Sequence, residues 1–393
     1  MYDLIIRDAT IVSSAGRQVA DVAIRGDKIA YVGPRPPRSA RSELSAMGRF
    51  LIPGVVDGGL QLSGAGPLAR AVADETRAAV TGGVTTVVAL PHPERPVRTA
   101  TDARDMWQEA GRESFCDVGW WANDEHGSID AIRDAAADGW VAGVLATLHE
   151  PDISEERLER WRSFPGLLAI CWEAADPPPQ RLLDVAKDRE RPLHLYALTT
   201  ATELDWLDPV RSSVSLTAMV TVPHLFLSAD DPESADVVTA PPLRPEQDRR
   251  TLWTAIKRGR LDTVASHHHA HPDQGVASSE LLLPLMLHAA QSGRLSLEQL
   301  VGLCCETPAR LFGLTTKGRV QKGADADLVL FSEGHTQRII ADHLATRSAS
   351  PYLGREAAPK PEMVFVAGQL VAERGQLVVD RPVGRALSLD DAA

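Results

Sequence analysis

Cysteine is scarce in this sequence, and the cysteines that occur lack the spacing of a disulfide framework or a structural metal site. Cys116, Cys171, Cys304 and Cys305 are the four cysteines among 393 residues, and no two of them form a C-x-x-C motif. The adjacent pair is a poor candidate for a structural disulfide. We therefore expect reduced thiols in a cytoplasmic protein.

Long apolar runs and an excess of basic charge are also missing. No run approaches the ~20 apolar residues that a membrane span needs, and the N-terminal MYDLIIRDATIV lacks the blocks of a signal peptide. The 41 Lys and Arg residues are outnumbered by 53 Asp and Glu residues, which gives a net charge of −12. This balance disfavours nucleic acid and membranes as partners.

Strand patterns mark both ends of the chain. Short runs of alternating or continuous apolar residues occupy 3–12, 20–33, 326–331 and 363–379, with turns near Gly26, Gly368 and Gly375. Two strand-rich ends around a long middle predict one small β-sandwich domain built from residues 1–52 and 319–393. The last dozen residues, PVGRALSLDDAA, predict a loose tail or a partner contact.

The middle of the chain alternates between strand and helix patterns. Residues 81–91 favour a buried strand, and 67–80 favour a helix that ends at Gly82. Further strand candidates lie at 140–148, 166–174, 191–199, 213–220 and 261–269. Repeated β-then-α units predict an α/β fold, a (β/α)8 TIM-like barrel over residues 53–318. Ser296 and Gln299 form a capping box, and a further helix is predicted to start at Thr307.

Several phrases, taken together and in order, resemble the dihydroorotase family of the amidohydrolase superfamily. They are IPGVVD (52–57), TGGVTTVVALP (81–91), PHLFLS (223–228), APPLRPEQDRRTLWTAIKRGRLDTVAS (240–266), TPARLFGL (307–314) and KGRVQKGADADLVLF (317–331). The resemblance implies the same barrel with a small β-sandwich. It also implies a binuclear metal site, in which a bridging hydroxide attacks a cyclic amide carbonyl.

The metal ligands that the resemblance implies are replaced in this chain. The family's His-x-His pair falls on Gly59 and Gln61, its carboxylated Lys or Asp on Val144 or Leu145, its two further His on Cys171 and Ala197, and its final Asp on His267. A divalent ion needs several converging ligands. An unpaired charge left behind would be costly. The replacements therefore predict a barrel without the metal pair, hence without a cofactor.

The substrate contacts implied by the resemblance are replaced as well. The Arg that would hold a substrate carboxylate falls on Ser63, and two Asn positions fall on His92 and Ala240. Two family histidines are retained, as His268 and His271. The segments between Cys171 and Ala197 and after His271 are shorter than is usual in the family.

Two alternatives use residues that are present. In extended backbone, His267, His269 and His271 would face one way and could bind zinc, although hydrogen-bonded or solvated histidines at a polar barrel mouth explain them better, because the other barrel strands offer no partner ligands. Cys171 with Glu173 could form a nucleophile pair, although a cysteine within LLAICW is more often a packing residue.

The sequence therefore predicts a non-catalytic, pseudo-dihydroorotase-type protein. The resemblance implies a subunit that supports aspartate carbamoyltransferase in pyrimidine biosynthesis, within a homo- or hetero-oligomer. One alternative is a dihydroorotase or other cyclic-amide hydrolase with an atypical zinc site around His267–His271. Another is a binding protein that keeps a small-molecule pocket at the barrel mouth.

Overall fold

The computed structural model describes residues 1–62, 66–90, 94–124, 129–148, 153–164, 166–173, 181–187, 193–269, 276–345 and 350–388. Ser63, His92 and His271 lie outside these ranges, so their predicted roles stay predictions. Among the described residues, none of the helices combines the length and apolar character that a membrane span needs.

Five strands precede the barrel. They are β1 (Tyr2–Ser13), β2 (Gly16–Arg25), β3 (Lys28–Gly33), β4 (Ala40–Ser45) and β5 (Phe50–Pro53). The barrel strands follow as β6 (Val55–Gln61), β7 (Val84–Leu90), β8 (Asp117–Asn123), β9 (Gly143–Leu148), β10 (Leu167–Trp172), β11 (Leu193–Tyr196), β12 (Leu216–Thr221), β13 (Thr263–Ala265) and β14 (His268–His269). The last strands are β15 (Leu328–Phe331), β16 (Gln337–Arg338), β17 (Glu356–Ala357), β18 (Met363–Val366), β19 (Gln369–Glu373) and β20 (Gln376–Leu377).

Helices alternate with the barrel strands. They are α1 (Leu68–Thr81), α2 (Ala100–Glu113), α3 (Ile129–Ala137), α4 (Glu155–Ser163), α5 (Arg181–Lys187), α6 (Ala201–Val210), α7 (Val222–Phe226), α8 (Glu246–Lys257), α9 (Leu282–Gln291), α10 (Leu297–Val301) and α11 (Thr307–Leu311). As predicted, α1 ends at Gly82, and Ser296 with Gln299 caps α10. A π-helical turn, Gly302–Glu306, joins α10 to α11 without a break.

The barrel sheet confirms the predicted fold class. Its strands run β13-β12-β11-β10-β9-β8-β7-β6-β14, with parallel pairing throughout. Because β13 and β14 are two halves of one chain segment, the pairing of His268 with Leu60 closes the sheet on itself. The carboxyl ends of all these strands therefore meet at one mouth, where (β/α)8 barrels place their sites.

Alternating side chains of the barrel strands form two apolar layers. One layer fills the space between strands and helices, and Leu60, Val144 and Leu195 belong to it. The other layer fills the barrel interior and includes Trp121 and Phe312, whose rings meet edge to face with centroids 5.4 Å apart. The interior is thus packed up to the level of the mouth.

Strands from the two chain ends form one further nine-stranded sheet, ordered β20-β19-β18-β15-β5-β1-β2-β3, with β4 beside β1. The antiparallel pairing of β5 with β15 joins the N-terminal strands to the C-terminal ones. This sheet has its own small apolar core, which includes Ile24, Leu328 and Phe365. The exact division of the chain into folding domains stays a prediction.

The C-terminal segment is packed, which corrects the prediction of a loose tail for residues 382–388. Val383 and Gly384 donate backbone hydrogen bonds to Ser114, and Arg385 and Leu387 exchange them with Val118. Leu387 is part of the apolar layer inside the barrel. The segment therefore covers the barrel end opposite the mouth, while 389–393 lie outside the described residues.

Candidate functional site

A cavity of about 390 Å³ opens at the barrel mouth. Its described lining comes from the carboxyl ends of the barrel strands and from the segment before Pro241. The lining residues are Gln61, Leu90, Asn123, Leu145, Thr147, Cys171, Glu173, Tyr196, Val238, Thr239, Ala240, His267, His268, His269 and Val276. The structure therefore brings together most of the positions that the sequence singled out.

The space beside Gly59 is already occupied. A Cβ atom added to Gly59 would lie 2.9 Å from the Tyr196 hydroxyl oxygen, 2.9 Å from the Ala265 Cβ and 3.2 Å from the His267 amide nitrogen. Carbon atoms normally approach to about 3.5–4.0 Å. A side chain at the position of the first family histidine would therefore require the Tyr196 side chain, Ala265 and the His267 backbone to shift.

The strand that carries Gly59 is bulged. The register of β6 against β7 shifts between Asp57 and Leu60. The buried Asp57 carboxylate accepts hydrogen bonds from the Gly59 amide at 3.1 Å and the Ser266 amide at 2.9 Å. Burial raises the pKa of Asp57, and these two amides oppose that shift. Asp57 therefore bridges the first and last barrel strands and does not line the cavity.

The sequence assigned the position of the family's Lys or Asp ligand to either Val144 or Leu145, and the structure distinguishes the two. Val144 packs in the layer between strands and helices and does not line the cavity. Leu145 lines the cavity instead. Since successive residues of a strand point to opposite faces, Leu145 is the residue at the equivalent place. Its side chain offers no ligand atom.

Cys171 lines the cavity but has the properties of a packing residue. It is buried within the apolar interior layer. Burial raises its pKa well above the ordinary thiol value, and the Glu173 and Glu203 carboxylates add to the shift. A thiol with a raised pKa is a poor nucleophile and a poor metal ligand. The geometry therefore gives the Cys171–Glu173 nucleophile pair no support.

Ala197 and His267 share an unusual backbone conformation. Their φ angles are 59° and 52°, in the left-handed region. At His267 this conformation separates β13 from β14, so the strand does not continue in the extended form assumed for the histidine tract. Ala197 is fully buried in the barrel interior. It offers no ligand atom where the family is expected to have a histidine.

His267 is held uncharged among other rings. Its imidazole centroid lies 6.1 Å from the Tyr196 ring and 6.1 Å from the His224 ring. Burial lowers the pKa of His267 to about 3, with further lowering from His224 and His269. Its Nδ1 atom is buried and has no hydrogen-bond partner among the described residues.

His268 and His269 do not join His267 in a ligand set. The Nε2 atom of His268 lies 2.7 Å from the Glu75 carboxylate on α1, and its Nδ1 atom accepts from the Ser278 and Ser279 amides at 3.1 and 3.2 Å. His268 therefore ties β14 to α1, and this use of the retained histidine is structural. His269 lines the cavity, and its amide donates to the Val276 carbonyl at 3.0 Å.

Sequence reasoning missed four polar residues of the cavity, which are Asn123, Thr147, Tyr196 and Thr239. Tyr196 immediately precedes the replaced position Ala197, and Thr239 immediately precedes Ala240. Alternation along β11 could have placed Tyr196 inside the barrel, because Leu195 faces the helices. No pattern in the sequence could have shown that its hydroxyl reaches Gly59.

Within the described part of the chain, one group of carboxylates converges closely enough to suggest a cation site. Asp117, Asp325 and Asp327 are buried together at the barrel end opposite the mouth. The Lys317 ammonium lies 2.6 Å from Asp117, 3.1 Å from Asp325 and in contact with Asp327. Burial opposes its charge, but the three carboxylates raise the pKa of Lys317. The lysine thus takes the place that a metal would need.

The Arg385 guanidinium completes this ion cluster from the C-terminal segment. It lies 3.0 Å from Asp117 and 3.1 Å from Asp325. The cluster therefore links β8, the segment before β15 and the C-terminal residues. The cluster therefore stabilises the barrel end opposite the mouth, and its residues do not line the mouth cavity.

The ligand chemistry of the mouth does not fit a pair of divalent ions. Among the described residues, no three His, Cys, Asp or Glu ligand atoms converge there. The six described positions that the family is expected to fill with ligands hold Gly59, Gln61, Leu145, Cys171, Ala197 and His267. What remains is a polar cavity with a neutral histidine, a buried tyrosine hydroxyl and a threonine.

Several known proteins are similar to this chain along most of its length. The amidohydrolase family matches residues 185–371. The chain is 26% identical to an L-hydantoinase from Paenarthrobacter aurescens, covering 98% of each chain. It is 27% identical to an allantoinase from Rubrobacter xylanophilus, covering 98% of this chain and 97% of the relative. It is 28% identical to a dihydroorotase from Halobacterium salinarum, covering 93% and 96%.

Solved structures agree with the barrel. An L-hydantoinase (dihydropyrimidinase) from Arthrobacter aurescens superposes with a TM-score of 0.90 at 23% identity, covering 98% of this chain and 99% of the other. A D-hydantoinase from a Thermus species gives a TM-score of 0.86 at 19% identity, covering 97% and 98%. The predicted resemblance to amidohydrolases is thus supported, while hydantoinases and allantoinases are about as similar as dihydroorotases. The chain therefore resembles amidohydrolases over residues 185–371 and has hydantoinase, allantoinase and dihydroorotase relatives that are similar along nearly its whole length.

Proposed function

We propose that this protein is a non-hydrolytic amidohydrolase-superfamily member, whose barrel mouth does not assemble a binuclear metal centre. The observation that carries the proposal is the contact between Tyr196 and Gly59. The Tyr196 hydroxyl oxygen lies 2.9 Å from the place that a Cβ atom of residue 59 would occupy. The neighbouring residues therefore pack closely where the family is expected to have a metal-ligating side chain.

The remaining groups support the same proposal. Metal-assisted hydrolysis requires a cation that lowers the pKa of a bound water and polarises the carbonyl. Cys171 has a raised pKa, and Leu145 and Ala197 have no ligand atoms. His267 could offer one nitrogen, but one neutral imidazole does not hold a divalent ion at catalytic occupancy.

A zinc site around His267–His271 has less support. Both ring nitrogens of its middle histidine, His268, are already hydrogen-bonded, one to Glu75 and the other to two backbone amides. The left-handed conformation at His267 also interrupts the extended strand on which the shared-face prediction depends. His271 lies outside the described residues.

The proposal predicts no turnover of the substrates that the names of the relatives indicate. The full-length protein, supplied with zinc, is assayed with dihydroorotate, hydantoin and allantoin, and again after chelation. We expect rates equal to those of the double variant His267→Gln, His269→Gln. A rate that depends on zinc and disappears in the double variant would overturn the proposal and favour the atypical metal site.

The partner remains a separate part of the proposal. The resemblance in the sequence favours assembly with aspartate carbamoyltransferase in a hetero-oligomer, and a subunit role needs no metal. Co-expression with the aspartate carbamoyltransferase of the same source, followed by size-exclusion chromatography, tests this part. Co-elution at a fixed stoichiometry is expected. Separate elution of the two proteins over a wide concentration range would refute the partnership without restoring hydrolysis.

A further inference from the structure

Three buried polar atoms around the mouth cavity lack a hydrogen-bond partner among the described residues. They are the Tyr196 hydroxyl oxygen, the His267 Nδ1 and the Thr239 hydroxyl oxygen. All three residues line the same cavity. Since burying a polar group without a partner is unfavourable, their convergence on one space indicates an occupant that bonds to them.

The cavity has the size and composition of a small-molecule site. Its volume of about 390 Å³ lies within the ~300–1,000 Å³ typical of ligand pockets. Leu90, Leu145 and Val276 supply apolar walls, while the unpartnered groups are placed among them. Polar groups placed beside apolar walls are the usual means by which a pocket orients its ligand.

The charged residues that line the cavity disfavour the binding of an anionic ligand. No Lys or Arg is among the described lining residues, whereas Glu173 is. An anionic ligand would therefore meet the Glu173 carboxylate, and no basic side chain among the described lining residues would balance the repulsion.

The basic residues nearest in sequence do not change this balance. Arg95 and Arg98 follow β7 but are not among the described lining residues. Arg244 donates to the Thr199 hydroxyl at 3.0 Å and to the Glu173 carbonyl at 3.3 Å, and it is not among the described lining residues either. His267 stays neutral, because burial lowers its pKa to about 3.

We infer that the barrel mouth binds, without metal, a small uncharged molecule that both donates and accepts hydrogen bonds, using Tyr196, His267 and Thr239, and that it rejects anions of the same shape. The inference rests on the proposed function, since a divalent pair in the same cavity would reverse its charge preference. It adds the class of ligand and the residues that hold it.

A matched pair of probes tests the inference. Dihydrouracil and dihydroorotate share one ring and differ by a carboxylate. The chelator-treated, full-length protein is titrated with each by calorimetry and thermal shift. Dihydrouracil is expected to bind and to raise the melting temperature, because a ligand of the native state stabilises it. Dihydroorotate is expected to bind at least tenfold more weakly.

Removal of one hydroxyl locates the binding site. Tyr196→Phe should weaken dihydrouracil binding about three- to tenfold, the range expected for one neutral hydrogen bond. Tyr352→Phe is the control, because the Tyr352 hydroxyl is also buried without a partner but lies outside the cavity. This control variant should bind as the unmodified protein does.

The outcomes separate this inference from the proposed function. Absence of dihydrouracil binding, or equal loss in both tyrosine variants, would overturn the inference and leave the non-hydrolytic proposal intact. Tighter binding of dihydroorotate would overturn the charge argument. Binding that appears only with zinc and is followed by ring opening would overturn both.

Discussion

Adding a single methyl group at Gly59 should destabilise the barrel mouth. In Gly59→Ala the new Cβ lies 2.9 Å from both the Tyr196 hydroxyl and the Ala265 Cβ. Ala265 cannot retreat easily, because it pairs with Thr221 in the sheet. Overpacking of this kind costs about 1–3 kcal/mol. For a chain of this length, with an unfolding entropy of roughly 0.8 kcal/mol/K, the melting temperature should fall by about 1–4 °C.

A double-mutant cycle isolates the role of Tyr196. Tyr196→Phe removes one of the two closest contacts, so Gly59→Ala should cost at least about 0.5 kcal/mol less in that background. Gly111→Ala is the control, since its Cβ would meet Ala386 at an ordinary 3.5 Å and alanine is favoured within α2. An unchanged stability of Gly59→Ala, or the same cost in both backgrounds, would refute the filling of this space by Tyr196.

Three further predictions concern the rest of the fold. Lys317→Met leaves three buried carboxylates without their central cation and should cost about 3–5 kcal/mol in urea unfolding; a loss below about 1 kcal/mol would contradict the cluster. Deletion of residues 382–393 removes the segment that accepts the Trp107 indole hydrogen bond and should lower the melting temperature and red-shift tryptophan emission; an unchanged spectrum would argue against packing. Burial lowers the pKa of His194 to about 3 and of His224 to about 4. Between pH 6.5 and 4 the unfolded chain therefore binds more protons at these two histidines than the folded chain does. Stability should therefore fall as pH drops from about 6.5 to 4, by up to roughly 1.4 kcal/mol per pH unit and histidine, and His224→Gln should flatten this dependence.

Local patterns in the sequence were sufficient to predict the architecture. The alternation of strand and helix, the end of α1 at Gly82 and the capping box at Ser296 all lie where short-range chemistry places them. The assignment of the replaced ligand positions also depends on short local phrases, and it stays a prediction. These features depend on neighbours in the sequence, which a single chain displays directly.

Long-range contacts could not be predicted. Nothing in the sequence shows that Tyr196 on β11 reaches Gly59 on β6, or that His268 turns outward to Glu75. The tail was expected to be loose or to contact a partner, yet Arg385 joins a buried ion cluster with residues far away in sequence. Such contacts depend on barrel closure, which brings distant strands together at angles that no local pattern encodes.

Metal analysis tests most directly whether the mouth can hold a divalent pair. The full-length protein is produced in zinc-supplemented medium, desalted and analysed by mass spectrometry for bound metals, beside the double variant His267→Gln, His269→Gln. If the mouth cannot bind a pair of divalent ions, the zinc content should stay far below one equivalent per chain, and it should be equal in the unmodified protein and the double variant. Two equivalents of zinc that are retained on desalting and lost in the double variant would contradict this.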